Sequence, residues 1–245
     1  MNVRGIIFDI NGTLIDIITN EEHGEVYRII SNLLSYQGIL LSPGDVKDLY
    51  YRILQEQRRS RNEHHPEFDA VGIFREIIGR CATGFTRRLT AEKLAQLPLF
   101  LAEAYRAASR MRLKLYPGVR DVLGELRHRY HLAAVSDGQV AYAYQELYAV
   151  GLLDYFNTVV VSGEFGYRKP DRRLYGAALS RMNVAPWETL FVGDNLYRDV
   201  YGAKRMGMKT IWFKNREDGP EKRKAEPDYI IYNFWDLLKA LSFFN

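Results

Sequence analysis

The chain has 245 residues and a formal charge of +4, from 34 Lys and Arg against 30 Asp and Glu. With 47% apolar residues it can build a real core, which excludes a disordered, collagen-like or disulfide-stapled chain. No apolar run approaches the ~20 residues of a membrane span, and the lone Cys81 fits a reducing cytoplasm.

Residues 3–8 form a short Ile-rich run that reads as a buried strand. Asp9 ends that run too early for a signal peptide. Residues 16–115 carry almost no strand signal. Val26, Ile29, Ile30, Leu33 and Leu34 mark one amphipathic helix; Val46, Leu49, Tyr50, Ile53 and Leu54 mark a second. Val71, Phe74, Ile77 and Ile78 mark a third. A fourth, over residues 91–112, is expected to kink or break at Pro98. Tyr116-Pro117-Gly118 closes this stretch.

Further along, Val119, Val122, Leu123 and Leu126 make a helical stripe. Val200, Ala203 and Met206 make another, stopped by Gly207. Apolar runs at 131–135, Thr158–Val161, 189–192 and 210–213 read as strands, and the charged stretch 215–227 reads as a surface loop. Alternating strands and helices predict a Rossmann-like parallel sheet covered on both faces. The expected fold class is therefore α/β, with residues 1–15 and 116–245 as the core and 16–115 as an all-helical insert.

The basic surplus would suit a polyanion, but 24 Arg and 10 Lys are interspersed with acids along most of the chain. The tightest cluster, Arg58, Arg59 and Arg61 followed by His64 and His65, reads as a solvated helix end. No nucleic-acid or membrane partner is expected.

Chemistry gathers at the strand ends, where parallel sheets bind ligands. Asp9 is a carboxylate at a buried strand end, costly unless used, although a turn-capping aspartate is the bland alternative. Gly12 permits a tight turn and Thr13 adds a hydroxyl, a set that suits an aspartyl nucleophile attacking phosphorus. Ser136, Asp137 and Gly138 offer a hydroxyl and backbone N–H groups for an anion, or an ordinary helix cap. Lys169, held before Pro170, could neutralise a carboxylate and a phosphoryl oxygen. Asp194 and Asp199, with Asp9, suit a hard cation with oxygen ligands, Mg²⁺ above all.

Taken in order, Asp9-Ile10-Asn11-Gly12-Thr13, Ser136, Lys169-Pro170 and Gly193-Asp194 with Asp199 resemble the four motifs of the haloacid dehalogenase-like (HAD) superfamily. The helical insert is similar to that family's C1-type cap. The resemblance implies that Asp9 becomes an aspartyl-phosphate. It implies that Thr13 and Ser136 hold the phosphoryl group and Lys169 steadies both. It also implies Mg²⁺ on Asp9, Asp194 and the main-chain carbonyl of Asn11, with Asp199 orienting a metal water or Lys169. The expected partner is a small phosphorylated metabolite, handled by a monomer or weak homodimer, with hinges near residues 16–19 and 115–118.

Asn11 departs from the pattern, because phosphatases of the family usually carry an acid–base aspartate there. An amide cannot carry that proton. Slow phosphatase turnover is the first expectation. A phosphate-binding or regulatory protein is the second. A 2-haloacid dehalogenase is the third, since halide needs no protonation. An engineered change at this position is a further explanation.

Overall fold

The Ile-rich run forms β1, Gly5–Phe8, with every residue buried. A computed structural model describes residues 2–215 and 225–244. Most of the 215–227 stretch, read above as a loop, lies outside the described residues. The chain divides into two compact units, Met1–Ile17 with Leu113–Asn245, and Ile18–Arg112.

β2 (Ile15–Thr19) leads into the helical unit, which holds α1 (Gly24–Ser35), α2 (Pro43–Ser60), α3 (Ala70–Cys81) and α4 (Ala91–Ser109). Sequence determines where these helices begin. Ser42 and Asp45 form a reciprocal capping box on α2, with Pro43 in its first turn, and Asp69 and Thr90 cap α3 and α4. The four helices pack through an aromatic centre in which Tyr50 stacks on Tyr105 at 4.6 Å, flanked by Tyr27 and Phe74.

α4 is one uninterrupted helix with Pro98 buried inside it. The expected break is absent because Leu97, Leu101, Ala102 and Tyr105 bury one face and offset the lost backbone bond. The helix ends at Ser109 rather than 112, and β3 (Arg110–Leu115) follows, paired with β2. Both strands were missed. Arg, Met, Leu and Lys are good helix formers, so β3 reads locally as a helix tail until its partner is supplied. The chain crosses between units inside these two strands.

The other unit runs through α5 (Val119–Leu126), β4 (His131–Ser136), α6 (Val140–Ala149) and β5 (Thr158–Val161). It continues with α7 (Arg172–Met182), β6 (Thr189–Gly193), α8 (Gly202–Lys204), β7 (Lys209–Phe213), β8 (Tyr229–Ile231) and α9 (Asp236–Phe244). Six strands form one parallel sheet in the order β5-β4-β1-β6-β7-β8. Side chains alternate across it. Ile6, Phe8, Leu132, Ala134, Leu190 and Val192 face α5 and α9, whereas Ile7, Ala133, Val135 and Phe191 face α7.

Two further details differ from expectation. The edge strand β8 was not foreseen, since three residues give too short a pattern to read. The stripe Val200–Ala203–Met206 does not exist as one face, because residues Leu196–Tyr201 wind as a π-helix before α8. Its wider turn sends Val200 toward Leu196 and Trp212, and Ala203 toward the α7 side.

Leu123, fully buried on α5, tests the sheet's outer layer away from the site. Leu123→Ala should lower stability by about 2–5 kcal/mol, read as a lower unfolding midpoint in urea or heat.

Candidate active site

Register brings the chemistry together. Phe8 pairs with Ala134 on one side and Val192 on the other, so β1, β4 and β6 end at one level. Asp9 leaves β1 there, Ser136 ends β4, and Asp194 follows β6.

Lys169 is the centre of the arrangement. Its Nζ donates to Asp9 Oδ1 at 2.6 Å, to Asp199 Oδ1 at 2.7 Å and to the Val135 carbonyl at 3.1 Å. All three donors are spent, and its side chain is only 2% exposed. Burial alone would lower the lysine's pKa, but the Asp199 and Asp9 carboxylates together raise it. The second oxygen of Asp9 accepts the Thr13 hydroxyl at 3.1 Å. The second oxygen of Asp199 accepts the Asn195 N–H at 2.9 Å.

Asp194 differs from both. Its carboxylate makes no hydrogen bond among the described residues, and its carbonyl accepts Trp212 Nε1 at 2.9 Å. Asp9, Asp194 and Asp199 offer oxygens that lie within 4.8 Å of one another. Burial pushes Asp9 up to about 6, with Lys169 opposing and Asp199 adding to it. Burial and the charges of Asp9 and Asp199 push Asp194 up to about 7. A divalent cation with oxygen preference fits this donor set, because it would offset the repulsion that both shifts register.

Two glycines make the approach possible. Gly12 sits at φ +94°, and a Cβ there would collide with the Asp194 carboxylate. A Cβ on Gly193 would collide with Asp199. Asn11 bridges to Ile15, and its Oδ1 is buried without a hydrogen-bond partner. The Gly12 carbonyl is held by Asn215 Nδ2.

Of the expected anion-binding set, Thr13, Ser136 and Lys169 converge on this level. Ser136 Oγ is buried and unpartnered, and Ser136 does not cap α6, whose preceding residue is Gln139. Gly138 is a correction, since its N–H donates to Ser162 Oγ at 2.9 Å and is already spent. The Asp137 carboxylate is also turned to other work. Its Oδ1 accepts the Lys169 backbone N–H at 2.8 Å, and its Oδ2 faces Arg198 at 3.6 Å and Arg168 at 3.8 Å. Sequence reasoning missed Ser162, Trp212, Arg168 and Arg198. None carries a local signal, and Arg198 was hidden inside the fourth motif. Tyr197 stacks on Tyr201 at 5.4 Å. In the other unit, Arg59 and His64 are exposed at the end of α2 and beyond it, and Arg58 covers the Phe68 ring at 5.5 Å.

Residues 3–207 match the haloacid dehalogenase-like hydrolase family, and the chain belongs to that family. It is 29% identical to a glyceraldehyde 3-phosphate phosphatase of Pyrococcus furiosus, over 98% of this chain and 93% of the relative. It is 40% identical to a phosphoserine phosphatase of Thermus thermophilus over 57% of this chain and 56% of that one. Among solved structures, a HAD phosphatase of Thermococcus onnurineus aligns at a TM-score of 0.58 and 26% identity, covering 98% of both chains. A 2-haloacid dehalogenase of Pseudomonas syringae aligns at a TM-score of 0.73, over 99% of this chain and 100% of that one, but at 20% identity it shows the fold alone. No helix among the described residues is long and apolar enough to cross a membrane.

The raised carboxyls fix a sign for metal-free protein. Folded Asp9 and Asp194 hold protons that the unfolded chain, with both near 3.8, has released. Between about pH 4 and 7 the native state therefore binds more protons, and stability falls as pH rises. Melting scans in EDTA should show this fall. Mg²⁺ should restore the melting temperature at pH 7.5, and Asp194→Asn should flatten the pH dependence and abolish the Mg²⁺ response.

Proposed function

We propose that this protein is a Mg²⁺-dependent phosphatase of small phosphorylated metabolites, working through an aspartyl-phosphate on Asp9, and slow because residue 11 is an amide. The observation that carries the reading is the buried Lys169 bridging Asp9 and Asp199, beside an unbonded Asp194. The phosphatase relatives and the family membership support it.

Asp9, Asp194 and the main-chain carbonyl of Asn11 would hold Mg²⁺. When bound, the ion would supply positive charge that offsets the charge of the nucleophile and of the phosphoryl group. Asp199 has both oxygens engaged, by Lys169 and by the Asn195 N–H, so it acts by fixing Lys169. Asp9 attacks phosphorus, the ester P–O bond breaks, and the phosphoryl group passes to the carboxylate. Lys169 steadies the charge and the Thr13 and Ser136 hydroxyls hold phosphoryl oxygens. The leaving alkoxide then needs a proton. An aspartate at position 11 would deliver it and afterwards activate the hydrolytic water, whereas Asn11 can do neither. Bulk water must serve instead, which favours esters whose leaving groups are stable anions. The helical unit Ile18–Arg112 is read as the cap that selects substrates.

Asn11 also favours a second reading, a phosphate-binding or regulatory protein that completes no turnover. Asn11 is compatible with the dehalogenase reading, but it is the one feature of the site that is. The structural likeness to a dehalogenase is one of fold, and the Asp194 and Asp199 pair suits a metal-dependent enzyme.

The test is hydrolysis of p-nitrophenyl phosphate and a panel of alkyl phosphomonoesters, with Mg²⁺ or EDTA. Activity should be low, Mg²⁺-dependent and absent in Asp9→Asn. Asn11→Asp should raise kcat on alkyl esters by about 10²–10⁴, and by less on p-nitrophenyl phosphate. Native turnover equal to that of Asn11→Asp would overturn the missing-acid argument. Phosphate and Mg²⁺ binding without any turnover would support the binding-protein reading.

A further inference from the structure

Arg198 lies inside the fourth motif, between Asp194 and Asp199, yet the chemistry above gives it no task. Its backbone is fixed on both sides. The N–H donates to Asn195 Oδ1 at 2.7 Å, and the carbonyl accepts the hydroxyl of the buried Tyr175. Its guanidinium stands 3.6 Å from Asp137 Oδ2, at ion-pair distance but without a hydrogen bond. Among the described residues this side chain donates no hydrogen bond at all, so five N–H donors remain unspent. The side chain is 39% exposed, so it opens to solvent rather than sealing the core.

Lys169 is the contrast. It is 2% exposed with all its donors used, so it acts on the reacting phosphoryl group through its charge and has no donor for a further anion. The Arg168 guanidinium approaches the same Asp137 oxygen at 3.8 Å. Asp137 thus draws two cations beside the loop that carries Lys169, where the Arg198 charge acts on Asp9 and Asp194. It aims Arg198 without consuming the fork of donors that matches a carboxylate or a phosphate.

Resting on the phosphatase reading, we propose that Arg198 is a specificity-determining residue which binds a second oxyanion of the substrate. The preferred substrates are then small phosphomonoesters that also carry a carboxylate or a second phosphate. Lys169 and the two hydroxyls serve the reacting phosphoryl group, and Arg198 serves the group that distinguishes one ester from another. The planar fork of a guanidinium suits recognition of a planar carboxylate or a phosphate.

The experiment compares kcat/KM, in the Mg²⁺-loaded full chain, for four esters. O-Phosphoserine carries a carboxylate, a sugar bisphosphate carries a second phosphate, and glycerol phosphate and p-nitrophenyl phosphate carry no second anion. Measurements are made in the native protein and in Asn11→Asp, each with Arg198→Ala and Arg198→Lys, after melting scans establish that the variants are folded. The native ratio of doubly anionic to singly anionic esters should exceed one. It should fall about tenfold or more in Arg198→Ala, the loss expected for one charge-assisted hydrogen-bond pair, and partly recover in Arg198→Lys. The carboxylate and bisphosphate arms show which anion is preferred. An equal loss on all four esters would assign Arg198 to charge balance around Asp9 and overturn the proposal, as would a native ratio at or below one. No turnover of any ester by native protein or Asn11→Asp would overturn the phosphatase reading itself.

Discussion

A buried ammonium held between two buried carboxylates organises this protein. Lys169 without Asp9 and Asp199 would be an uncompensated charge in the core, and either aspartate without Lys169 would be the same. Paired at 2.6 and 2.7 Å, they are tolerated together. The consequence is geometric. The loop after β1, the loop carrying Lys169 and the turn after β6 must meet at one point, although Asp9 and Lys169 are 160 residues apart in sequence. The parallel sheet supplies that point, because β1 lies between β4 and β6 and all three end at the same level.

Close approach of like charges then has to be made possible. Gly12 and Gly193 remove the side chains that would stand between the aspartates and the turns facing them. The resulting crowd of carboxylates is balanced only in part by Lys169, so Asp9 and Asp194 both resist ionisation. This tension is what makes a divalent cation fit, and Asp194 is the carboxylate of the three that makes no hydrogen bond among the described residues. Asn11 sits in the same turn. Its amide has the shape of a carboxyl group but can neither take up nor release a proton.

Many elements with a strong local pattern were legible in the sequence, although α9 was missed. The buried runs of β1, β4, β5, β6 and β7 are too apolar to lie anywhere but in a covered sheet, and α1 to α3 show a clean helical period. Reading failed where partners decide. The residues of β3 suit a helix until β2 is beside them, and Pro98 suggests a break until four buried neighbours hold α4 together. The π-helix at Leu196–Tyr201 defeats a 3.6-residue period by construction.

The site divides along the same line. Sequence alone determined the order of the motifs, their place at strand ends and the amide at position 11, because each depends on residue type and on contacts a few positions apart. Only the tertiary structure decided how the donors are spent. Gly138 gives its N–H to Ser162, Asp137 turns to Lys169 and two arginines, and Trp212 holds the Asp194 carbonyl. These partners lie between 18 and 61 positions apart. Packing of the sheet and its helices chooses them, and no local pattern records that choice.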